Sequence, residues 1–302
     1  MGEFLHRTVL LDEAVALLAP APGRVVVDCT LGGGGHSEAL LAAGCTVIGM
    51  DRDPRAHASA GARLSRFGAA FIPVKRPFSQ ICKALAELGI SEVDGVLADL
   101  GVSSPQLDHA DRGFSFMREG PLDMRMGDVG ETCAEYLARV DEGELVRVLF
   151  EYGEERHSRR IARAILAALP LSTTTELAAV VEVAMPKGKP SRIHPATRSF
   201  QALRIVVNDE VGELETLLQA LPQVLKVGGR AAIISFHSLE DRPVKRRFRH
   251  LASVDSPKDP YGNPTRAPTV RLITRKATVA SAVAAKDNPR ARSARLRALE
   301  RI

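Results

Sequence analysis

The chain has 302 residues, 45% of them hydrophobic and none Trp, so Leu, Val, Ile and Ala must build its core. No apolar run approaches the ~20 residues of a membrane helix, and Glu3, His6, Arg7, Asp12 and Glu13 exclude a conventional signal peptide. The net charge is +5, and the four cysteines (Cys29, Cys45, Cys82, Cys133) include no C-x-x-C pair, which speaks against a metal site and for a reduced, cytoplasmic compartment.

Residues 6–19 predict a lead-in helix, ended by Pro20, Pro22 and Gly23. Val25, Val26 and Val27 form a β-branched run without a polar break, which suits a strand buried on both faces. Gly32, Gly33, Gly34 and Gly35 follow, then a helix over 37–43 with Gly44 as its stop, and a strand over 46–49. Asp51 lies at that strand's carboxyl end, close to the ~20-residue spacing from the glycines expected of an acid that grips ribose hydroxyls. Helix 55–67, strand 71–74, helix 79–88 and strand 93–99 continue the alternation. That order predicts an α/β fold with a parallel sheet wound on both faces. Such sheets bind ligands at the carboxyl ends of their strands. Residues 32–36, Asp51, Phe78 and Asp99 all fall at that edge.

The glycine spacing also bears on the ligand. A dinucleotide G-x-G-x-x-G turn would need its third glycine at Ser37 or Glu38, and Glu38 would repel a phosphate. Asp28, just before the turn, suits a cationic or neutral ligand. S-adenosylmethionine has ribose hydroxyls, a charged amino group and no phosphate, so the local chemistry favours it over NAD.

After Asp99 come loops rich in Gly, Ser and Pro, then only helical periodicity, in segments 133–138, 142–152, 158–169 and 176–185. Thr173 and Glu176 make a capping box for the last. The expected organisation is a first core part over 1–105, an inserted all-helical domain over 106–196 and a second core part over 197–302. That second part opens with helices 196–208 and 213–225, ended by Gly228 and Gly229, and strand 230–236. His237-Ser-Leu-Glu-Asp241 follows at the same sheet edge. A basic helix, a Pro-rich loop over 256–268 and a strand over 270–274 come next, and the segment from Asn288 is assigned no element. Arg242, Lys245, Arg246, Arg247 and Arg249 cluster, as do Arg290, Arg292, Arg295, Arg297 and Arg301; such clusters suit phosphate contacts. The second suits a solvated tail equally well. The turn at 186–192 is also basic.

Methyl transfer from a sulfonium is an in-line displacement in which much of the gain comes from positioning. An exocyclic base amine is a poor nucleophile, because its lone pair is delocalised into the ring; an acceptor on its N–H localises that pair. Enzymes that methylate such amines commonly place an acid or amide, a proline and an aromatic at the end of the fourth strand. Asp99-Leu-Gly-Val-Ser-Ser-Pro-Gln106 has the acid and the proline, farther apart, and no aromatic. Asp99 either binds the cofactor's adenine or amino group or accepts from the substrate amine. Ser103, Ser104 and His237 are the other catalytic candidates, with substrate binding an equal reading for His237. Phe78 could stack on an adenine, and Phe114, Phe116 and Phe236 on a substrate base; for each, core packing is the commoner fate. His36 in a glycine loop more commonly hydrogen-bonds backbone.

With these strings in hand, the chain resembles the bacterial small-subunit ribosomal RNA (cytosine-N4)-methyltransferase family of the MraW type. The resemblance runs through nearly the whole sequence. It includes His6-Arg-Thr-Val-Leu-Leu-Asp-Glu13, Asp28-Cys-Thr-Leu-Gly-Gly-Gly-Gly-His-Ser37, Gly120-Pro-Leu-Asp-Met-Arg125, Arg192-Ile-His-Pro-Ala-Thr-Arg198 and Asn288-Pro-Arg-Ala-Arg-Ser-Ala294. It implies a doubly wound, Rossmann-like methyltransferase sheet that uses S-adenosylmethionine, with an inserted all-helical substrate-recognition domain. The implied reaction methylates N4 of a cytidine in the decoding centre of 16S rRNA, within the small ribosomal subunit. The family's cofactor positions fall on Gly34, Gly35, His36, Asp51, Phe78, Asp99 and Gln106. Cys29 stands where members usually have Gly. The competing readings are a methyltransferase for another amine and an RNA-binding assembly factor without activity; Asp51, Asp99 and the glycine loop argue against the second.

Overall fold

The computed structural model describes residues 8–186 and 193–302; His6 and most of the basic turn, 187–192, lie outside the described residues. The strands are β1 (Val25–Asp28), β2 (Thr46–Asp51), β3 (Phe71–Lys75), β4 (Val93–Asp99), β5 (Leu225–Ser235), β6 (Val270–Leu272) and β7 (Arg295–Arg301). They form one seven-stranded sheet in the order β3-β2-β1-β4-β5-β7-β6. β1 to β5 pair in parallel, and β7 runs antiparallel between β5 and β6. The strand order reverses between β1 and β4, and a doubly wound sheet opens its ligand crevice at such a point.

The helices are α1 (Leu11–Leu18), α2 (Gly35–Ala42), α3 (Pro54–Leu64), α4 (Ile81–Glu87), α5 (Ser104–Asp108), α6 (Cys133–Arg139), α7 (Glu142–Glu151), α8 (Ser158–Ala167), α9 (Thr174–Ala184), α10 (Thr197–Asn208), α11 (Glu210–Val224), α12 (Ser238–Leu251) and α13 (Ala282–Asp287). The chain divides into two compact units, residues up to Gly101 with Val211–Ile302, and Val102–Glu210.

In the sheet unit, alternate residues of one strand serve opposite faces. Val27, Ile48, Val96 and Ile233 pack under Leu214, Leu217 and Leu221 of α11 and Val244 and Phe248 of α12. Val26, Val47, Leu97 and Ile234 pack on the other face under Leu18 of α1, Leu40 of α2 and Leu64 of α3. Helices on both faces are why β1 and β4 carry no polar alternation.

Two expectations change here. Gly228 and Gly229 do not follow a helix; α11 ends at Val224, and the glycines lie inside β5. The chain loops out there, because Val93 pairs with Leu225 while Gly95 already pairs with Arg230, and Gly228 takes the left-handed φ of 79°. The segment after Asn288 is no tail. Seven of its residues, Arg295–Arg301, are β7, an interior strand.

The helical unit has its own core, with Leu137, Leu145, Leu149, Ile161, Ile165, Leu177 and Leu203 fully buried. Thr132 with Glu135 and Thr173 with Glu176 form capping boxes for α6 and α9. Phe200, Ala202 and Leu203 of α10 belong to this core, so the segment from 197 to 210 sits with the helical unit and not with the second core part. Leu203→Ala should therefore cost about 2–5 kcal/mol. Hydrogen exchange should show the lost protection in α6 to α10, with the strands unaffected.

Candidate active site

Three carboxylates stand at neighbouring strand ends: Asp28 on β1, Asp51 on β2 and Asp99 on β4. Each is fixed by local backbone. Asp28 accepts the Ser37 hydroxyl at 2.7 Å and the Thr30 N–H at 3.2 Å. Asp51 accepts the Gly32 N–H and the Asp53 N–H, both at 2.9 Å, so it also shapes the glycine turn. Asp99 is held through its own N–H, which donates to the Thr30 hydroxyl at 2.6 Å. Its side chain lies in a recess, 24% exposed at the mouth, while Oδ1 is covered and has no hydrogen-bond partner among the described residues. His36 Nδ1 is 4.0 Å from Asp99 Oδ2.

Glu240, in the first turn of α12, is a fourth acid at this edge. It accepts the Phe236 N–H at 2.8 Å and lies 3.1 Å from His237 Nε2. Burial pushes the Asp99 carboxyl well above the usual carboxylate range, and the charges of Asp28 and Glu240 push it further. Burial likewise raises Asp28 against its hydrogen bonds from Ser37 and Thr30, and raises Asp51 against those from Asp53 and Gly32. A site with several acids that resist ionising is built for a cation. S-adenosylmethionine, with its sulfonium and ammonium groups, fits this donor set, and the uncovered demand at Asp99 Oδ1 is the observation that favours it.

The glycines do two different things. Gly34 caps α2 at a φ of 76°, and a Cβ there would meet Leu64 at 3.1 Å and Ala60 at 3.3 Å; at Gly35 it would run into the Thr8 side chain. These two permit close packing. Gly33 faces open space, and Gly32, at a φ of 47°, is nearly as open, so they leave the approach to the turn clear. Glu38 is matched by Arg63 and Arg66, at 2.6 and 2.8 Å. Contrary to expectation, its charge is answered within the fold and is no bar to a phosphate.

The MraW methylase family model matches residues 3–302. The chain belongs to the MraW methylase family. It is 57% identical to a ribosomal RNA small subunit methyltransferase H from Anaeromyxobacter sp. (strain Fw109-5), over 100% of this chain and 99% of the relative. It is 55% identical to the protein of the same name from Myxococcus xanthus (strain DK1622), again over 100% and 99%. Among solved structures, an rRNA methylase from Streptococcus thermophilus is similar at 11% identity and a TM-score of 0.44, over 99% of each chain. A likeness of that size identifies nothing by itself.

The remaining candidates of this MraW-family chain fall in both units. Phe78 opens a short 3-10 turn after β3 and packs, half-buried, against the sheet core. The adjoining Ser79 N–H donates to Glu213 of α11 at 3.2 Å. Ser103 and Gln106 lie in the helical unit, where they cap α5: Gln106 Oε1 accepts the Ser103 N–H at 2.9 Å, and Ser103 Oγ accepts the Gln106 N–H at 3.4 Å. Capping explains Ser103. Ser104 is the first residue of α5, and its side chain lies outside the described residues. Phe114 packs in the helical core and Phe116, partly buried, packs against it, with the His194 and Phe200 ring centroids 4.6 and 4.8 Å from that of Phe116. Thr30 is not among the candidates read from the sequence, and Glu240 enters there only as a neighbour of His237. Glu240 was findable, as an acid three positions after His237 at the start of a helix.

The raised Asp99 pKa fixes a sign. A carboxyl whose folded pKa lies above its unfolded value, about 3.9, contributes stability below that value. The contribution is lost as pH rises through the folded pKa. Asp99→Asn should thus raise the ligand-free melting temperature at pH 7, and the gain should vanish toward pH 4. Melting curves over that range check it; Asp28 and Asp51 will leave a residual slope of the same sign.

Proposed function

We propose that this protein transfers a methyl group from S-adenosylmethionine to N4 of a cytidine in the decoding centre of 16S rRNA, acting on small ribosomal subunits in the cytoplasm. The observation that carries the reading is Asp99, a half-buried acid at the tip of β4 with a covered, unmet oxygen and two neighbouring acids that oppose its charge. Relatives named small subunit methyltransferase H support the choice of RNA. When bound, S-adenosylmethionine supplies an electrophilic methyl group.

The chain's own residues do the rest. Asp51 offers its carboxylate to ribose hydroxyls while holding Gly32. Asp28 and Asp99 favour a positively charged group in the recess, and that group in turn favours their ionised forms. His36, 4.0 Å from Asp99, forms the buried wall behind it. An ionised Asp99 also has the chemistry to accept from an exocyclic amine and localise its lone pair. The helical unit serves substrate recognition, and the target base leaves its stack at a cost of a few kcal/mol, less where it is already unpaired.

Asp51→Asn should weaken S-adenosylmethionine binding by roughly 10- to 150-fold, the worth of one charge-assisted hydrogen bond. Calorimetry on the purified protein reads this directly, and absence of binding by the unmodified protein would end the proposal. Asp99→Ala should lower turnover by about 100-fold or more. Incubation with labelled cofactor and unmethylated small subunits, followed by mapping of the labelled nucleotide, measures that loss and identifies the target base.

A further inference from the structure

The two basic stretches of the sequence, some fifty residues apart, face each other in the fold. A cavity of about 440 Å³ opens at the carboxyl end of β5. Phe236 with Asp241, Arg242 and Lys245 of α12 lines one side, and Arg292 and Arg295 line the other. The volume lies within the range of ligand pockets, about 300–1,000 Å³.

The charges around it do not cancel. Asp241 is the one acid in the lining among the described residues, and the buried Arg297 already takes both its oxygens, at 2.6 and 3.0 Å. Arg295 stands 3.7 Å from the same carboxylate and so shares a charge that is spent. Arg242, Lys245 and Arg292 are exposed, and none makes an ion pair with the described residues. Two further members of the clusters are committed to the fold. Arg301 pairs with Glu92, and Arg247 donates to the Leu218 carbonyl at 3.2 Å. What remains is a concave site with a surplus of positive charge and one aromatic wall.

Its place is informative. A Cβ built on Gly101 would lie 3.6 Å from Phe236 Cδ2, so the ring rests on the turn that follows Asp99. Glu240, which holds the Phe236 N–H, is one of the charges acting on Asp99. We propose that this cavity binds a phosphodiester of the RNA beside the base to be methylated, with Arg242, Lys245, Arg292 and Arg295 on the phosphate and Phe236 against the adjoining nucleoside. The proposal rests on the RNA methyltransferase reading and adds a subsite to it.

Each single-strand phosphate contact contributes about 0.7 to the slope of log affinity against log salt. Lys245→Ala with Arg292→Ala removes two. Binding to unmodified small-subunit rRNA should weaken roughly 25-fold at about 0.1 M salt, and the slope should become shallower by about 1.4. Lys83→Ala with Lys258→Ala removes the same charge from exposed positions outside the cavity and outside both basic clusters and should leave both quantities nearly unchanged. Equal losses in the two double variants, or no loss in the first, would overturn the proposal. Calorimetry with S-adenosylmethionine runs in parallel. The RNA titrations need no cofactor, so a protein that fails to bind S-adenosylmethionine sinks the methyl-transfer reading while the cavity is still judged on its own. Retained cofactor affinity in the first double variant shows that its fold is intact.

Discussion

At the tip of β4, backbone rather than a counter-charge holds Asp99 in place. Its N–H donates to Thr30, and the next residue, Leu100, donates to the Ile234 carbonyl at 2.9 Å, which ties the turn to β5. The side chain is thereby fixed where Asp28 and Glu240 oppose its charge. An amide of the same shape would relieve that opposition. An acid here is a local violation of the rule that buried charges are paired, and such violations are expected where a ligand completes the arrangement. Among the described residues no group supplies that partner at Oδ1, and a positively charged ligand would.

The rest of the edge follows from that demand. In the proposed function Asp51 reaches ribose hydroxyls only if the glycine turn is held back, and its own acceptance of the Gly32 N–H does the holding. The turn in turn depends on α2 lying close to α3, which Gly34 permits by presenting no Cβ to Leu64 and Ala60. Four consecutive glycines are thus two pairs with separate duties, one open to the crevice and one closed against the fold.

Much of this was legible in the sequence. β1 to β4 are apolar runs, the ends of β1, β2 and β4 carry the acids, and a strand buried on both faces leaves few other readings. What was not legible has a common cause. β7 reads Arg-Leu-Arg-Ala-Leu-Glu-Arg, which looks like a charged tail, yet Leu296, Ala298 and Leu299 are fully buried inside the sheet. The strand is tolerable there because its buried and half-buried charges find partners elsewhere in the chain, Arg297 on Asp241, Arg301 on Glu92 and Glu300 on Arg230 and Arg271, while Arg295 is exposed. None of those pairings is local, so no window of sequence contains them. α10 is the same problem in another form. Its periodicity was plain, but which core its apolar face joins is a long-range fact.

The same long-range pairing decides what the basic residues mean. A count of arginines near the C-terminus treats all of them as surface charge, but the fold sorts them. Asp241 could neutralise the cavity if it were free to face Arg242 and Arg292. Instead Arg297, only 8% exposed and carried in from β7, takes the carboxylate in a two-point contact. Leaving that guanidinium unpaired would cost more than leaving a solvated cation unpaired at the rim, because only the buried one has lost its water. The interior therefore claims the acid, and the cavity is left positive as a consequence of how β7 is held.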